Sequence, residues 1–183
     1  MKPARCLLLL FLLTSCSHQG IVRVKQRENR QLLSYHNRIA ILPLLVFGRL
    51  PNIRREGNLQ LTFVETLSRQ INKEKKEIAI QSFVQTNEIL RDNRISYREV
   101  LVMDKKQLCS ILGVDAVFIG QLDPGRYVQR GDQGVTMLGQ IFDSRNGDLV
   151  WSKELTMLAS SVYDTRFKML NVTTADMARQ LPY

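Results

Sequence analysis

Histidine and cysteine are scarce in this chain, which limits the chemistry it can support. The 183 residues include two histidines, His18 and His36, and three cysteines, of which only Cys109 lies beyond residue 16. Both histidines fall in a polar N-terminal segment, so we expect the folded domain to lack an imidazole for a nucleophilic triad or a metal site. The motifs H-E-x-x-H, G-x-x-x-x-G-K-[ST] and G-x-G-x-x-G are also missing. We therefore predict no metal, no cofactor and no catalytic residues, hence no enzyme.

Acidic residues leave one catalytic alternative open. Paired carboxylates of the glycosidase kind need only Asp or Glu side chains that meet in space. Asp115, Asp143 and Asp148 are already explained by their places at a helix end and in a turn. The sequence therefore favours a structural role for these acids.

The apolar run Leu7–Leu13 has seven residues, far fewer than the roughly 20 that span a bilayer. Lys2 and Arg5 precede it, and small residues ending in Cys16 follow it. This is the layout of a secretory signal peptide, which we assign to residues 1–15. The alternative is a plain signal peptide cleaved elsewhere, with Cys16 incidental.

The segment Leu13-Thr14-Ser15-Cys16 resembles the lipobox of bacterial lipoproteins. The resemblance implies cleavage between Ser15 and Cys16, with diacylglycerol on the sulfur of Cys16 and anchoring to a membrane. Ser17 is not the Asp that retains lipoproteins at the inner membrane in enteric sorting. We therefore expect a periplasm-facing lipoprotein, at the outer membrane in preference to the inner membrane.

Residues 16–37 are predicted to be a lipidated cysteine followed by a basic flexible tether. The segment carries Arg23, Lys25, Arg27 and Arg30 against one acid, Glu28, with no clear apolar periodicity. We expect residues 38–183 to fold alone and the tether to add almost nothing to stability. The tether is either a solvated spacer or a strip on an anionic membrane.

Loss of two cations with the signal peptide lowers the formal charge from +9 to +7, which in an exported protein favours anionic lipids over nucleic acid.

Periodicity beyond residue 37 predicts an α/β fold: a single mixed sheet covered by helices, as a sandwich, with a C-terminal β-hairpin and helix. The run Arg38–Phe47 predicts a strand buried on both faces and broken at Pro43. Asp104 and Gly113 predict the two ends of a helix. In chain order, the other predicted elements are a helix over Leu59–Ile71, a strand over Ile78–Val84, a short helix near Glu88, a strand over Val114–Leu122, hairpin arms over Gly134–Asp143 and Leu149–Met157 around Asn146-Gly147, and a helix from Asp164. Trp151 is expected in the core.

Three segments together resemble a superfamily of bacterial envelope lipoproteins: Ile39–Pro43, Leu112–Gly120 and Ile141–Ser152. The superfamily includes the curli-secretion-channel lipoproteins, the lipoprotein activators of penicillin-binding proteins and the N-terminal domain of the Tol propeller protein. The resemblance implies a mixed α/β sandwich that acts in assembly or partner regulation. We expect a module that binds or positions an envelope protein complex of unknown identity. Two alternatives are a structural subunit of an oligomeric secretion channel, hence a homo-oligomer, and an activator of a cell-wall synthase.

The loop after the first predicted strand, residues 48–57, is the candidate partner-binding surface. It follows the carboxyl end of a strand, where open α/β sheets usually bind ligands, and arginine is enriched at interfaces. The candidate residues are Arg49, Leu50, Ile53, Arg54 and Arg55. The alternative is a solvated basic loop.

Overall fold

The computed structural model describes residues 21–28, 30–47, 61, 63–69, 73, 78–123, 127–128, 132–158 and 166–183. The expected signal peptide, its cleavage site and the lipidation site at Cys16 lie outside these residues. So do the five candidate residues of the loop over residues 48–57.

A mixed sheet forms the centre of the described structure. The strands are β1 (Ile21–Glu28), β2 (Arg38–Ile41), β3 (Leu45–Val46), β4 (Ala79–Gln81), β5 (Ala116–Asp123), β6 (Tyr127–Val128), β7 (Asp132–Asp143) and β8 (Leu149–Leu158). The helices are α1 (Arg30–Leu33), α2 (residues 63–69), α3 (Phe83–Asp92), α4 (Glu99–Val102), α5 (Lys105–Leu112) and α6 (Arg166–Arg179). The strand order is β1-β8-β7-β5-β2-β4, with β3 beside β5 and β6 beside β7. Strand β2 runs parallel to β4 and β5, whereas β1, β8, β7 and β5 pair antiparallel in succession. The predicted α/β fold with a single mixed sheet is confirmed.

The sheet is buried on both faces at β2 and β5. Side chains alternate across a strand, so Ile39 and Ile41 pack with Phe118 in one cluster, which helices α2 and α6 cover. Ala40 and Leu42 belong to a second cluster on the opposite face, which α3, α4 and α5 supply. Trp151 is buried in the first cluster, as expected. Two helical layers therefore enclose the central strands.

The predicted first strand is interrupted at Pro43, as expected. Strand β2 ends at Ile41 and β3 begins at Leu45. Both pieces follow β5, because the backbone N–H of Leu42 donates to the Phe118 carbonyl and that of Phe47 donates to the Leu122 carbonyl. Proline cannot donate to a ladder, so the path bends there without leaving β5.

Helix α5 has the predicted ends. The Asp104 side chain accepts a hydrogen bond from the Gln107 backbone N–H at 2.8 Å. Gly113 ends the helix in the left-handed region, with φ of +66°. The strand predicted over Ile78–Val84 is wrong in its second half, because Ser82 caps α3 and Phe83 begins that helix.

The hairpin between β7 and β8 has the predicted arms, because β7 ends at Asp143 and β8 begins at Leu149. Gly147 has a φ of +77°, but among the described non-glycine residues positive φ occurs only at Arg94. Asn146 therefore does not adopt the positive φ that a two-residue type I′ turn needs. The arms close instead around residues 143–148, where the Asp143 N–H donates to the Asp148 carbonyl.

The largest correction concerns the tether. Strand β1 pairs with β8 from Ile21 opposite Met157 to Glu28 opposite Trp151. Downstream of it, Leu33 and His36 are buried. The expectations of a flexible tether and of a domain starting at residue 38 are therefore wrong for this stretch. Pairing at a sheet edge uses backbone groups, so a charged strand joins the sheet without an apolar face of its own.

We expect a chain that begins at residue 38 to be much less stable than one that begins at residue 17. The truncation removes the ladder between β1 and β8 and the buried Leu33 side chain, whose burial alone is worth about 1.5–3 kcal/mol. We expect a total loss above about 3 kcal/mol, because ladder hydrogen bonds add roughly 1 kcal/mol each. Urea unfolding followed by circular dichroism measures it.

A chain that begins at residue 21 is the matched control, with stability equal to that of the longer chain. Equal stability of the chain starting at residue 38 would contradict the packing of β1.

Candidate functional site

A buried cluster of polar side chains closes the end of the sheet where β2 and β5 begin and β7 ends. His36 precedes β2, Asp143 is the last residue of β7, and Tyr183 follows α6. Their exposed fractions are 4%, 1% and 5%. Together with Arg145 in the hairpin turn, these residues form what we call the His36 cluster.

The cluster is joined by short hydrogen bonds. His36 Nε2 lies 3.0 Å from Asp143 Oδ2, and His36 Nδ1 lies 2.6 Å from Tyr183 Oη. Arg145 binds the same carboxylate with Nη2 at 3.1 Å from Oδ2 and Nε at 3.2 Å from Oδ1. The backbone N–H of Arg145 also donates to Asp143 Oδ1 at 2.8 Å. Asp143 is therefore saturated with donors.

The charge of Asp143 fixes the direction of these hydrogen bonds. Burial, the largest single influence, raises the pKa of Asp143, but hydrogen bonds from Arg145 and His36 outweigh it and hold the pKa below its ordinary value of 3.8. Since an ionised carboxylate only accepts, His36 Nε2 donates to it. Burial in turn raises the pKa of Tyr183, so its hydroxyl keeps its proton and donates to Nδ1 when the imidazole is neutral.

A tyrosine, a histidine and an aspartate in this order form a proton-relay geometry of the kind used in nucleophilic catalysis. The exposed fractions of these side chains, at most 5%, leave no surface for a substrate to contact. Asp115 Oδ2 lies next to the cluster and accepts from the backbone N–H groups of Asn37 and Arg38, each at 2.9 Å. The arrangement therefore acts as a clamp that joins the start of β2, the hairpin turn and the segment after α6.

An apolar groove lies open on the described surface at the β4 edge. It has a volume of about 660 Å³ and lies between α2 and the junction of β4 with α3. Val64, Ile80 and Phe83 line it, with Val84 64% exposed at its rim. Strand β4 ends the order of the described sheet. The groove therefore offers apolar surface beside the last strand of that sheet.

Sequence reasoning missed the His36 cluster. The sequence places His36 in the tether and predicts Asp143 only as a turn residue. Asp143 does have the turn role as well, because its Oδ1 accepts from the Arg145 backbone N–H. The local signal was the alternation of Val22 and Val24 with Arg23 and Lys25, which covers only two apolar positions and does not by itself distinguish a strand from a solvated segment.

Other chemistry in the described residues is limited. No three His, Cys, Asp or Glu side chains among them are grouped so as to hold a metal ion. The pKa of the Cys109 thiol is raised to about 12, and burial is the main cause. Cys109 is therefore an unreactive core residue. None of the described helices combines the length and apolar character needed to cross a membrane.

Fold and site together define a mixed α/β domain with a closed polar cluster and an open apolar groove. No protein-family model and no curated protein matches the chain. Among solved structures, the PelC dodecamer from Paraburkholderia phytofirmans is 16% identical over 86% of this chain and 94% of the PelC chain, with a TM-score of 0.50. Lipoprotein GNA1162 from Neisseria meningitidis is 17% identical over 79% of this chain and 99% of its own, with a TM-score of 0.52. At such identities the likeness shows a shared fold.

We expect Asp143→Asn to lower the free energy of unfolding by about 2–4 kcal/mol near neutral pH, because it removes charge-assisted hydrogen bonds from His36 and Arg145. The folded-state pKa of Asp143 lies below 3.8, so its stabilisation is present above that pH and is lost as pH falls through the folded pKa. Urea unfolding at a series of acidic pH values should show that the free energies of unfolding of the unsubstituted and Asp143→Asn proteins become equal as the pH falls.

The control for this series is Asp92→Asn, which removes an acid that is 69% exposed and should change stability by no more than about 0.5 kcal/mol. A difference in the free energy of unfolding between the unsubstituted and Asp143→Asn proteins that stays constant as the pH falls would contradict an ionised Asp143 in the folded state.

Proposed function

We propose that this chain is a membrane-anchored lipoprotein without catalytic activity that binds or positions an envelope protein complex. The observation that carries the proposal is a fold shared with lipoprotein GNA1162, on a chain with a lipobox-like segment ending at Cys16. The anchoring lipid would lie on Cys16, and the domain would face the periplasm, with the outer membrane as the preferred location.

The geometry of the described residues supports binding over catalysis. The His36 cluster has relay geometry but is closed to substrates, and its hydrogen bonds join three separate parts of the chain. The groove at the β4 edge is the opposite case, because it is open and largely apolar. Apolar surface bordered by a few polar groups is typical of protein contacts.

A second candidate function is a structural subunit of an oligomeric secretion channel. The observation that favours it is the shared fold with PelC, which was solved as a dodecamer. In this case the groove at the β4 edge would contact a second copy of the chain. Rings arise when one surface of a subunit meets a different surface of the next and the rotation closes.

We expect Cys16→Ala to abolish lipidation and to leave an uncleaved or soluble form. The reason is that the Cys16 sulfur is the atom that would carry the diacylglycerol. Detergent phase partitioning and intact-mass measurement of the envelope fraction test this, with Cys109→Ala as the matched cysteine control, which should be processed normally. A Cys16→Ala protein that is still processed and still enters the detergent phase would contradict the lipoprotein assignment.

The loop candidates Arg49, Leu50, Ile53, Arg54 and Arg55 remain a proposed contact for the partner. Replacing Arg54 and Arg55 together with Ser should reduce the partner recovered after crosslinking in intact envelopes, because arginine side chains supply interface hydrogen bonds. The melting curve and membrane anchoring should stay unchanged. Unchanged recovery would contradict a role for this loop.

The crosslinked products also separate the two candidate functions. Products at multiples of the chain's own mass would favour the oligomeric channel subunit. Products that contain a different envelope protein would favour the module that binds or positions a complex.

A further inference from the structure

The start of β1 defines one end of the sheet. Ile21 pairs with Met157 of β8, and Met157 pairs with Val135 of β7. Asp123, at the end of β5, pairs with the residue that follows Val135. Val46, at the end of β3, pairs with the residue before Asp123. We call this the anchor end of the sheet, because β1 enters the sheet there.

The opposite end of the sheet holds the His36 cluster. Asn37 and Arg38 lie there at the start of β2, and Asp143 lies there at the end of β7. We call it the far end. Strand β1 reaches it at Glu28, opposite Trp151.

The chain between Cys16 and the anchor end is short. Four residues, 17–20, separate Cys16 from Ile21, so the two Cα atoms lie at most about 18 Å apart. The eight residues of β1 extend about 24 Å further toward the far end, and the twelve residues of β7 extend about 37 Å. The connection to the lipid is therefore shorter than the sheet itself.

We propose that the anchor end of the sheet rests on the lipid headgroups and that the far end points away from the membrane. This inference rests on the proposed lipidation of Cys16. An 18 Å connection reaches the anchor end from the bilayer surface, but it is about 6 Å shorter than β1. A domain standing with its far end on the bilayer would therefore place Ile21 beyond the reach of Cys16. The occupant of this surface is the bilayer itself.

One property of the described residues suits the anchor end to a membrane surface. Phe47, which follows β3 at this end, is 48% exposed, and partly exposed aromatic side chains bury favourably at the headgroup boundary.

Site-specific fluorescence quenching tests the orientation. The mature lipidated protein is reconstituted in vesicles of phosphatidylethanolamine and phosphatidylglycerol, with a label at Phe47→Cys or at Asn37→Cys and a quencher on the lipid headgroup. These positions are a matched pair at opposite ends of the β2–β3 path, and both native side chains are exposed. Cys109 is fully buried and does not take the label.

We expect quenching at position 47 to exceed quenching at position 37 severalfold. Inserting 20 Gly and Ser residues after Ser17 should reduce this contrast, because a long flexible linker releases the domain from a fixed orientation. Equal quenching at the two positions, or stronger quenching at position 37, would overturn the proposal. Both labelled proteins must keep the melting curve of the unlabelled chain.

A second anchor separates this inference from the proposed function. If mass measurement finds no lipid on Cys16, the lipoprotein assignment fails by itself. A hexahistidine segment in place of residue 16, bound to a nickel-chelating lipid, then holds the same position of the chain at the bilayer. The contrast between positions 47 and 37 should persist under this anchor, and its absence would overturn the orientation while leaving lipidation unaffected.

Discussion

Burial of β2 and β5 on both faces is the constraint on which the rest of the structure depends. Ile39, Ala40 and Ile41 have almost no exposed surface, and neither do Val117 and Phe118. Their backbone N–H and C=O groups can form hydrogen bonds only with neighbouring strands. Their side chains can be buried only if apolar layers cover both faces of the sheet. The parallel pairing with β4, the antiparallel pairing with β7 and the helices on both faces all answer this requirement.

The same constraint explains how much of the fold could be predicted from the sequence. A continuous apolar run such as Arg38–Phe47 has few other stable arrangements, and the ends of α5 are encoded locally by Asp104 and Gly113. Strand β1 could not be predicted in this way. Its place depends on backbone pairing with β8, more than 120 residues later in the chain, and its charged side chains indicate a solvated segment when considered alone.

The candidate site was less predictable than the fold for a related reason. Each member of the His36 cluster has an ordinary local explanation, and its chemistry arises only when residues 107 and 147 positions apart meet at His36. No local spacing encodes such a meeting. Asp143 was recognised as a turn residue, but its second role as the acceptor for a buried imidazole depends on where residue 36 comes to lie. Buried polar networks of this kind fix one arrangement of the chain because each member needs its partners.

The antiparallel ladder between β1 and β8 has a mechanical consequence. A pull on the chain ahead of Ile21, directed away from the sheet, acts along the length of β1. The hydrogen bonds of an antiparallel pair run perpendicular to the strands, so they are strained together in shear and do not open one after another as in a zipper. Beyond Glu28 the tension passes to the buried Leu33 and then to His36, which Asp143 and Tyr183 hold at the far end. The domain is thus arranged to stay folded when force is applied to the chain ahead of Ile21.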